Sequence, residues 1–238
     1  MEITDLWKKT LNASLQLPVV KVDRTSFLRK ELQVYCTAEQ IQIAIEESPL
    51  KVLNKKTISK IADGCISYHT TNVCFVSALA GLPGGWFLAT TIPADIAQFY
   101  GHVIALTQKL LYLYGWPDLR DENRELNDDT LNILTLFVGV MMGSREAVQG
   151  VNIIAKALAE QVVKRLPRIG LTKYAIYNIS KQVGKWICIK LTRESFAKSA
   201  GKIIPFIGAP ISAMITYWTF KPMAHKLKRQ LESNMECK

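Results

Sequence analysis

What the chain lacks narrows its function first. In 238 residues there is no G-x-x-x-x-G-K-[ST] phosphate loop and no G-x-S-x-G elbow, which excludes a P-loop nucleotide hydrolase and argues against a serine hydrolase. No C-x-x-C pairs any of the five cysteines, Cys36, Cys65, Cys74, Cys188 and Cys237. An odd, scattered set reads as free thiols in a reducing cytoplasm rather than a disulfide frame. No Asn-Gly or Asp-Gly turn sits between alternating apolar runs, so strand signals are nearly absent and an all-α chain is expected. Acids become scarce toward the end: residues 150–238 hold 16 Lys/Arg against 4 Asp/Glu, whereas residues 1–149 hold 14 against 16. Finally, the 31 residues from Gly64 to Ala94 contain no Asp, Glu, Lys or Arg at all.

That uncharged run is broken at its centre by Gly81-Leu82-Pro83-Gly84-Gly85. Proline removes a backbone donor and glycine weakens a helix interior, so one uninterrupted span is not expected there. A spanning helix needs about 20 apolar residues. The run splits instead into shorter halves, and the second uncharged stretch, Ile203 to Phe220, is interrupted by Pro205, Gly208 and Pro210. Gly81, Pro83, Gly84, Gly85, Pro205, Gly208 and Pro210 are therefore the expected hinges of two helical hairpins, buried in the core or, alternatively, inserting reversibly into a bilayer. Both stretches follow G-x-P, an apolar segment, then T-x-x-P, which fits either an internal duplication or two core hairpins with the same packing needs.

Local signals set the remaining elements. Thr37-Ala38-Glu39-Gln40 is a capping box ahead of Ile41, Ile43 and Ile45, and Pro49 ends that helix. Leu17 to Val22 reads as a linker or short extended piece. Long helices are expected from Ile58 to about Leu82 and from Ile92 to Leu113, with Pro93 and Asp95 suited to a first turn. Asp129 or Thr130 caps a further apolar helix to about Gly143. Residues 145–166 place Val148, Val151, Ile154, Ala155, Leu158 and Val162 on one face, and Pro167 ends that helix. A basic helix from Leu171 to Ala200 follows, and a short basic helix from Pro222 to Glu232 closes the chain. The sum is a compact multi-helix bundle: residues 1–56 as a small N-terminal helical arm, residues 57–238 as the main domain.

Leu79-Ala80-Gly81-Leu82-Pro83-Gly84-Gly85, Pro93-Ala94-Asp95-Ile96, Tyr114-Gly115 and Lys202-Ile203-Ile204-Pro205-Phe206-Ile207-Gly208-Ala209 together resemble the EcsC family of bacterial proteins. The likeness runs from about Ile58 to Leu231. It implies a bacterial α-helical protein, of a family named for a neighbour of an ABC-transporter operon and without an established catalytic mechanism, so no catalytic residue carries over. The Pro-Asp-helix-Tyr-Gly pattern is also similar to the membrane-associated helical domain appended to some bacterial GTPases.

Ten cations lie between Lys164 and Lys202, opposed by Glu194 alone, with Tyr174, Tyr177, Trp186 and Phe196 interleaved. A basic helix with aromatic anchors suits an anionic lipid surface. Lys173, Lys181, Lys185, Trp186, Lys190, Arg193, Lys198 and Lys202 are the residues expected to meet it. The expected location is cytoplasmic, peripheral at the inner face of the cell membrane. An acidic protein partner would use the same face, and the same cations on a soluble bundle could equally be solvated. Nucleic acid is not expected, because Ile and Val dilute the cations and no recognition motif accompanies them. The acidic segment 118–129, with six acids and two arginines, reads as a solvated loop or as a mask for the basic region. Enzyme chemistry has one candidate: Asp95, Gln98 and His102 share a helical stripe, so a carboxylate could serve an imidazole. Cys65, His69 and Cys74 lack a fourth ligand and zinc spacing, so no metal is expected, nor any cofactor or identifiable small-molecule substrate.

Overall fold

The computed structural model describes residues 3–80, 94–119, 128–159, 172–201 and 208–236, with side-chain detail for most positions inside those runs. Every regular element among them is helical: α1 (Ile3–Leu15), α2 (Arg24–Leu32), α3 (Ala38–Glu46), α4 (Lys55–Ala80), α5 (Ala94–Leu113), α6 (Asp128–Met142), α7 (Arg145–Ala159), α8 (Thr172–Gly201) and α9 (Gly208–Glu236), with 3-10 turns at Pro18–Val20 and Pro49–Lys51. The all-α bundle expected from the missing strand signals is present.

Local chemistry starts the helices. Thr37 accepts the Gln40 amide at 3.3 Å while the Gln40 side chain accepts the Thr37 amide at 3.0 Å, the reciprocal box read in the sequence. Asp23 caps α2 by accepting the Ser26 amide at 2.8 Å. The start of α6 differs from expectation. Asp129 and Thr130 fall inside its first turn rather than at the cap, and the Thr130 hydroxyl donates to the Leu119 carbonyl at 2.8 Å. Within Leu17 to Val22, Pro18–Val20 forms a 3-10 turn, and Val20 and Val22 are seated in the core.

The N-terminal helices are integral to the interior. Trp7, Leu11, Phe27, Leu28 and Leu32 join one core cluster with Ile66, Leu106, Leu110, Phe137 and Leu227. The Trp7 indole donates to Thr135 Oγ1 at 3.0 Å, and the Trp7 amide lies 3.2 Å from Cys188 Sγ. Residues on both sides of position 56 thus contribute to the same core.

α6 and α8 run side by side in the same direction, fixed by Ser180 donating to Asn132 Oδ1 at 2.9 Å and Lys190 to the Met142 carbonyl at 2.8 Å. Their close approach needs Gly139. A Cβ there would sit 2.7 Å from that of Ala147 on α7 and would press into Val183 on α8. α4 and α9 pack antiparallel: Lys228 meets Asp63 at one end and Thr216 donates to Ser77 Oγ at 2.9 Å near the other. The C-terminal part of α4 therefore lies beside the N-terminal half of α9.

α9 departs from expectation twice. It continues through Pro222, where the sequence suggests a new helix. Pro222 is exposed, and so is Trp218, whose carbonyl loses its helical donor; water can satisfy that carbonyl on the outer face. Second, the apolar run ending at Phe220 is not buried as a whole. Thr216, Phe220, Met223, Ala224, Leu227 and Leu231 form the buried stripe, while Met214, Ile215, Tyr217 and Trp218 are exposed. One helix face can meet α4; the rest of an all-apolar turn must face outward.

Candidate functional site

α8 carries a two-sided pattern. Ile176, Ser180, Val183 and Ile187 turn inward, and Tyr174, Tyr177, Lys181, Lys185 and Ile189 turn outward at spacings of three and four. Tyr174 is 76% exposed, more than most tyrosines at a satisfied surface would be. Lys181 and Lys185 thus share one face with two aromatic rings and an isoleucine, and no carboxylate among the described residues pairs with either.

Not all of the predicted basic residues share this face. Lys190 is half-buried: its ammonium stands 4.6 Å from the Trp186 ring centroid and donates to the carbonyl that ends α6. Both residues serve the α6–α8 junction. Arg193 and Lys198 belong to α8, but their side chains, that of Lys173 and the whole of Lys202 lie outside the described residues. So do Gly81, Pro83, Gly84, Gly85 and Pro205; Gly208 and Pro210 fall in the first turn of α9. Acidic residues 120–127 are likewise outside, while Asp118 accepts the Tyr112 hydroxyl at 2.9 Å.

A second exposed region lies on the α4–α9 pair. Phe75 and Trp218, 63% and 67% exposed, stand at the same level of the antiparallel pair, with Met214 and Ile215 one turn away on α9. Lys221 borders them, its ammonium 5.1 Å from the Tyr217 ring centroid.

His102, the proposed acid–base group, is buried on α5 with its Nδ1 3.0 Å from Nδ1 of His69 on α4. Asp95 sits at the start of α5, and its side chain is outside the described residues. Burial lowers the pKa of both imidazoles, with Lys109 adding to the effect, and His69 is brought down to about 2. Lys109 lies over the Tyr68 ring at 5.1 Å and the Phe27 ring at 5.7 Å. Cys65, one turn before His69, has its thiol pushed up to about 12, chiefly by burial. Neutral imidazoles and a protonated thiol amid apolar side chains suit packing better than nucleophilic chemistry. No group of three or more His, Cys, Asp or Glu among the described residues has the geometry to hold a metal ion.

Sequence reasoning missed the polar seam between α4 and α9. Lys228, buried, donates to Asp63 Oδ1 at 2.6 Å and lies 3.9 Å from Glu232 Oε1. The Tyr114 hydroxyl donates to the same Glu232 oxygen at 2.9 Å. Lys228 and Glu232 are four apart on α9, but Asp63 and Tyr114 are far away in sequence, and no local spacing announces their part in the seam.

No described helix is long and apolar enough to cross a membrane. The chain matches no protein-family model, no curated protein and no solved structure.

Proposed function

We propose that this protein is a non-enzymatic accessory or effector that associates peripherally with anionic membrane, as its resemblance to the EcsC family would allow. The supporting observation is the outward stripe of α8, where Tyr174, Tyr177, Lys181, Lys185 and Ile189 share one face. Ammonium groups meet lipid phosphates while the rings settle at headgroup depth. Each cation contributes about 1 kcal/mol near such a surface, so attachment is reversible and weakens with salt. The exposed Phe75, Met214, Ile215 and Trp218 form a separate apolar region on the α4–α9 pair, a second surface that could meet lipid.

Flotation with vesicles of phosphatidylcholine, with and without phosphatidylserine, tests this reading. Binding should require the anionic lipid at low salt and fade as salt is raised. Reversing both charges, Lys181→Glu with Lys185→Glu, should weaken binding at least tenfold, since removing about 2 kcal/mol of attraction exceeds the 1.4 kcal/mol of one decade. Lys60→Glu, on α4, should change it little. No flotation at low salt would end the membrane reading and leave an acidic protein as the partner of this face.

A further inference from the structure

A cavity of about 310 Å³ opens between the end of α6, the start of α7 and the C-terminal half of α9. Its polar rim carries three cations from two helices: Arg145 on α7, Lys226 and Arg229 on α9. All three are exposed, and none forms a salt bridge with a described carboxylate. Like charges do not gather around a cavity without cost, because each raises the energy of the others.

The other polar groups there are already employed, which defines what a ligand must bring. Ser144 accepts the Ala147 amide at 3.2 Å and donates to Glu146 at 2.7 Å. Gln230 donates to Asn152 at 2.7 Å and ties α9 to α7, while Ser233 donates to the Gln230 carbonyl at 2.9 Å. Glu146, the carboxylate on this turn, is turned toward Ser144, and that hydrogen bond is the main reason its pKa is lowered. The three cations remain as donors lacking a described acceptor. Gly143 sharpens the arrangement. It takes φ +90°, and a Cβ there would come 3.2 Å from Lys226 Nζ, so the missing side chain lets the ammonium lie over the turn toward α7.

We propose that this cavity binds a phosphate group. A phosphate carries about two negative charges near neutral pH and offers several acceptor oxygens, which matches three cations lining one cavity better than a single carboxylate does. At roughly 30 Å³ per water the cavity holds about ten waters' worth of space, enough for a phosphate and part of the group that bears it. The phosphate can come from a soluble phosphomonoester or from a lipid headgroup. The site shares no residue with the α8 stripe, so it does not depend on the membrane reading.

The test uses the full chain with inorganic phosphate and pyrophosphate by titration calorimetry. It also uses vesicles containing either phosphatidic acid or phosphatidylserine at matched charge. Saturable binding of a soluble anion identifies a soluble source. Preference for phosphatidic acid identifies a lipid source. In either case Lys226→Gln with Arg229→Gln should weaken binding at least tenfold at an unchanged melting temperature, and Lys181→Gln with Lys185→Gln should leave that saturable binding or that preference in place. Absence of both saturable binding and lipid preference overturns the proposal. So does a response that Lys226→Gln with Arg229→Gln leaves unaltered.

Discussion

Nδ1 of His69 stands 3.0 Å from Nδ1 of His102, and the outer nitrogen of His69, Nε2, is buried without a described partner. One Nδ1 must donate and the other accept, so the two cannot both be protonated, and burial, which lowers both pKa values, favours two neutral rings. An unpaired buried donor is worse than an underused acceptor. His69 therefore donates from Nδ1, and His102 carries its proton on Nε2. Protonating His102 on Nδ1 removes the acceptor and breaks this link between α4 and α5.

This arrangement makes stability fall in acid. Above a pH of about 6.5 both histidines are neutral, folded or unfolded, and contribute no pH dependence. Below it the unfolded chain takes up protons that the folded chain refuses, and this persists down to about 2 for His69. A single histidine held neutral loses about 2 kcal/mol of stability between pH 6.5 and 5. Urea midpoints at the two pH values should show a larger drop for the parent protein than for His69→Leu with His102→Leu. Equal drops would mean the pair is not what titrates.

The α4–α9 seam predicts an asymmetric response. Asp63 is half exposed and water can solvate it when Lys228 is gone, so Lys228→Met should cost under about 1 kcal/mol. Asp63→Ala leaves a buried ammonium with only Glu232 at 3.9 Å and should cost about 1–2 kcal/mol. Denaturant titration of both variants checks the order; the reverse order contradicts this account.

Two helical glycines should respond with opposite signs. Gly139→Ala forces a methyl against Ala147 and Val183 and should destabilise by about 1–3 kcal/mol. Gly64 is exposed on α4, and a Cβ added there would meet nothing within 4 Å, so Gly64→Ala should gain up to about 1 kcal/mol from helix propensity. Calorimetric melting of the two variants separates packing from backbone entropy.

Much of the fold was legible because helices announce themselves locally. The capping box at Thr37 and Gln40, the presence of α4 and α5 and the end of α5 at Leu113 all follow from residues within a few turns of each other, although α4 begins at Lys55, three residues before the expected Ile58. What stayed hidden depends on how distant helices align. His69 and His102 are single histidines 33 positions apart, and only the register of α4 against α5 joins them. Lys190 reads as one more surface cation until α8 is laid along α6 and the carbonyl of Met142 comes within reach. Pro222 reads as a break because proline usually is one; its place on the outer face of α9 is a tertiary fact. The cavity cations come from sequence regions about 80 positions apart, and neither region stands out alone.

Trp7 supplies a test of the N-terminal segment. It is 4% exposed and bonded to Thr135, so Trp7→Ala should cost about 3–5 kcal/mol, as expected for a large buried aromatic. A thermal shift near zero would show that residues 1–56 are a dispensable arm.

The bond between the Trp7 amide and the sulfur of Cys188 joins positions 181 residues apart. A ribosome adding about 5–20 residues each second needs roughly 10–40 s to travel that distance. During that interval α1 meets its partners in stages, Tyr100 of α5 first, then Thr135 of α6, and the surface made by α8 last. A chaperone or a nearby bilayer can therefore reach the tryptophan face of α1 until the last third of the chain arrives to close the interior.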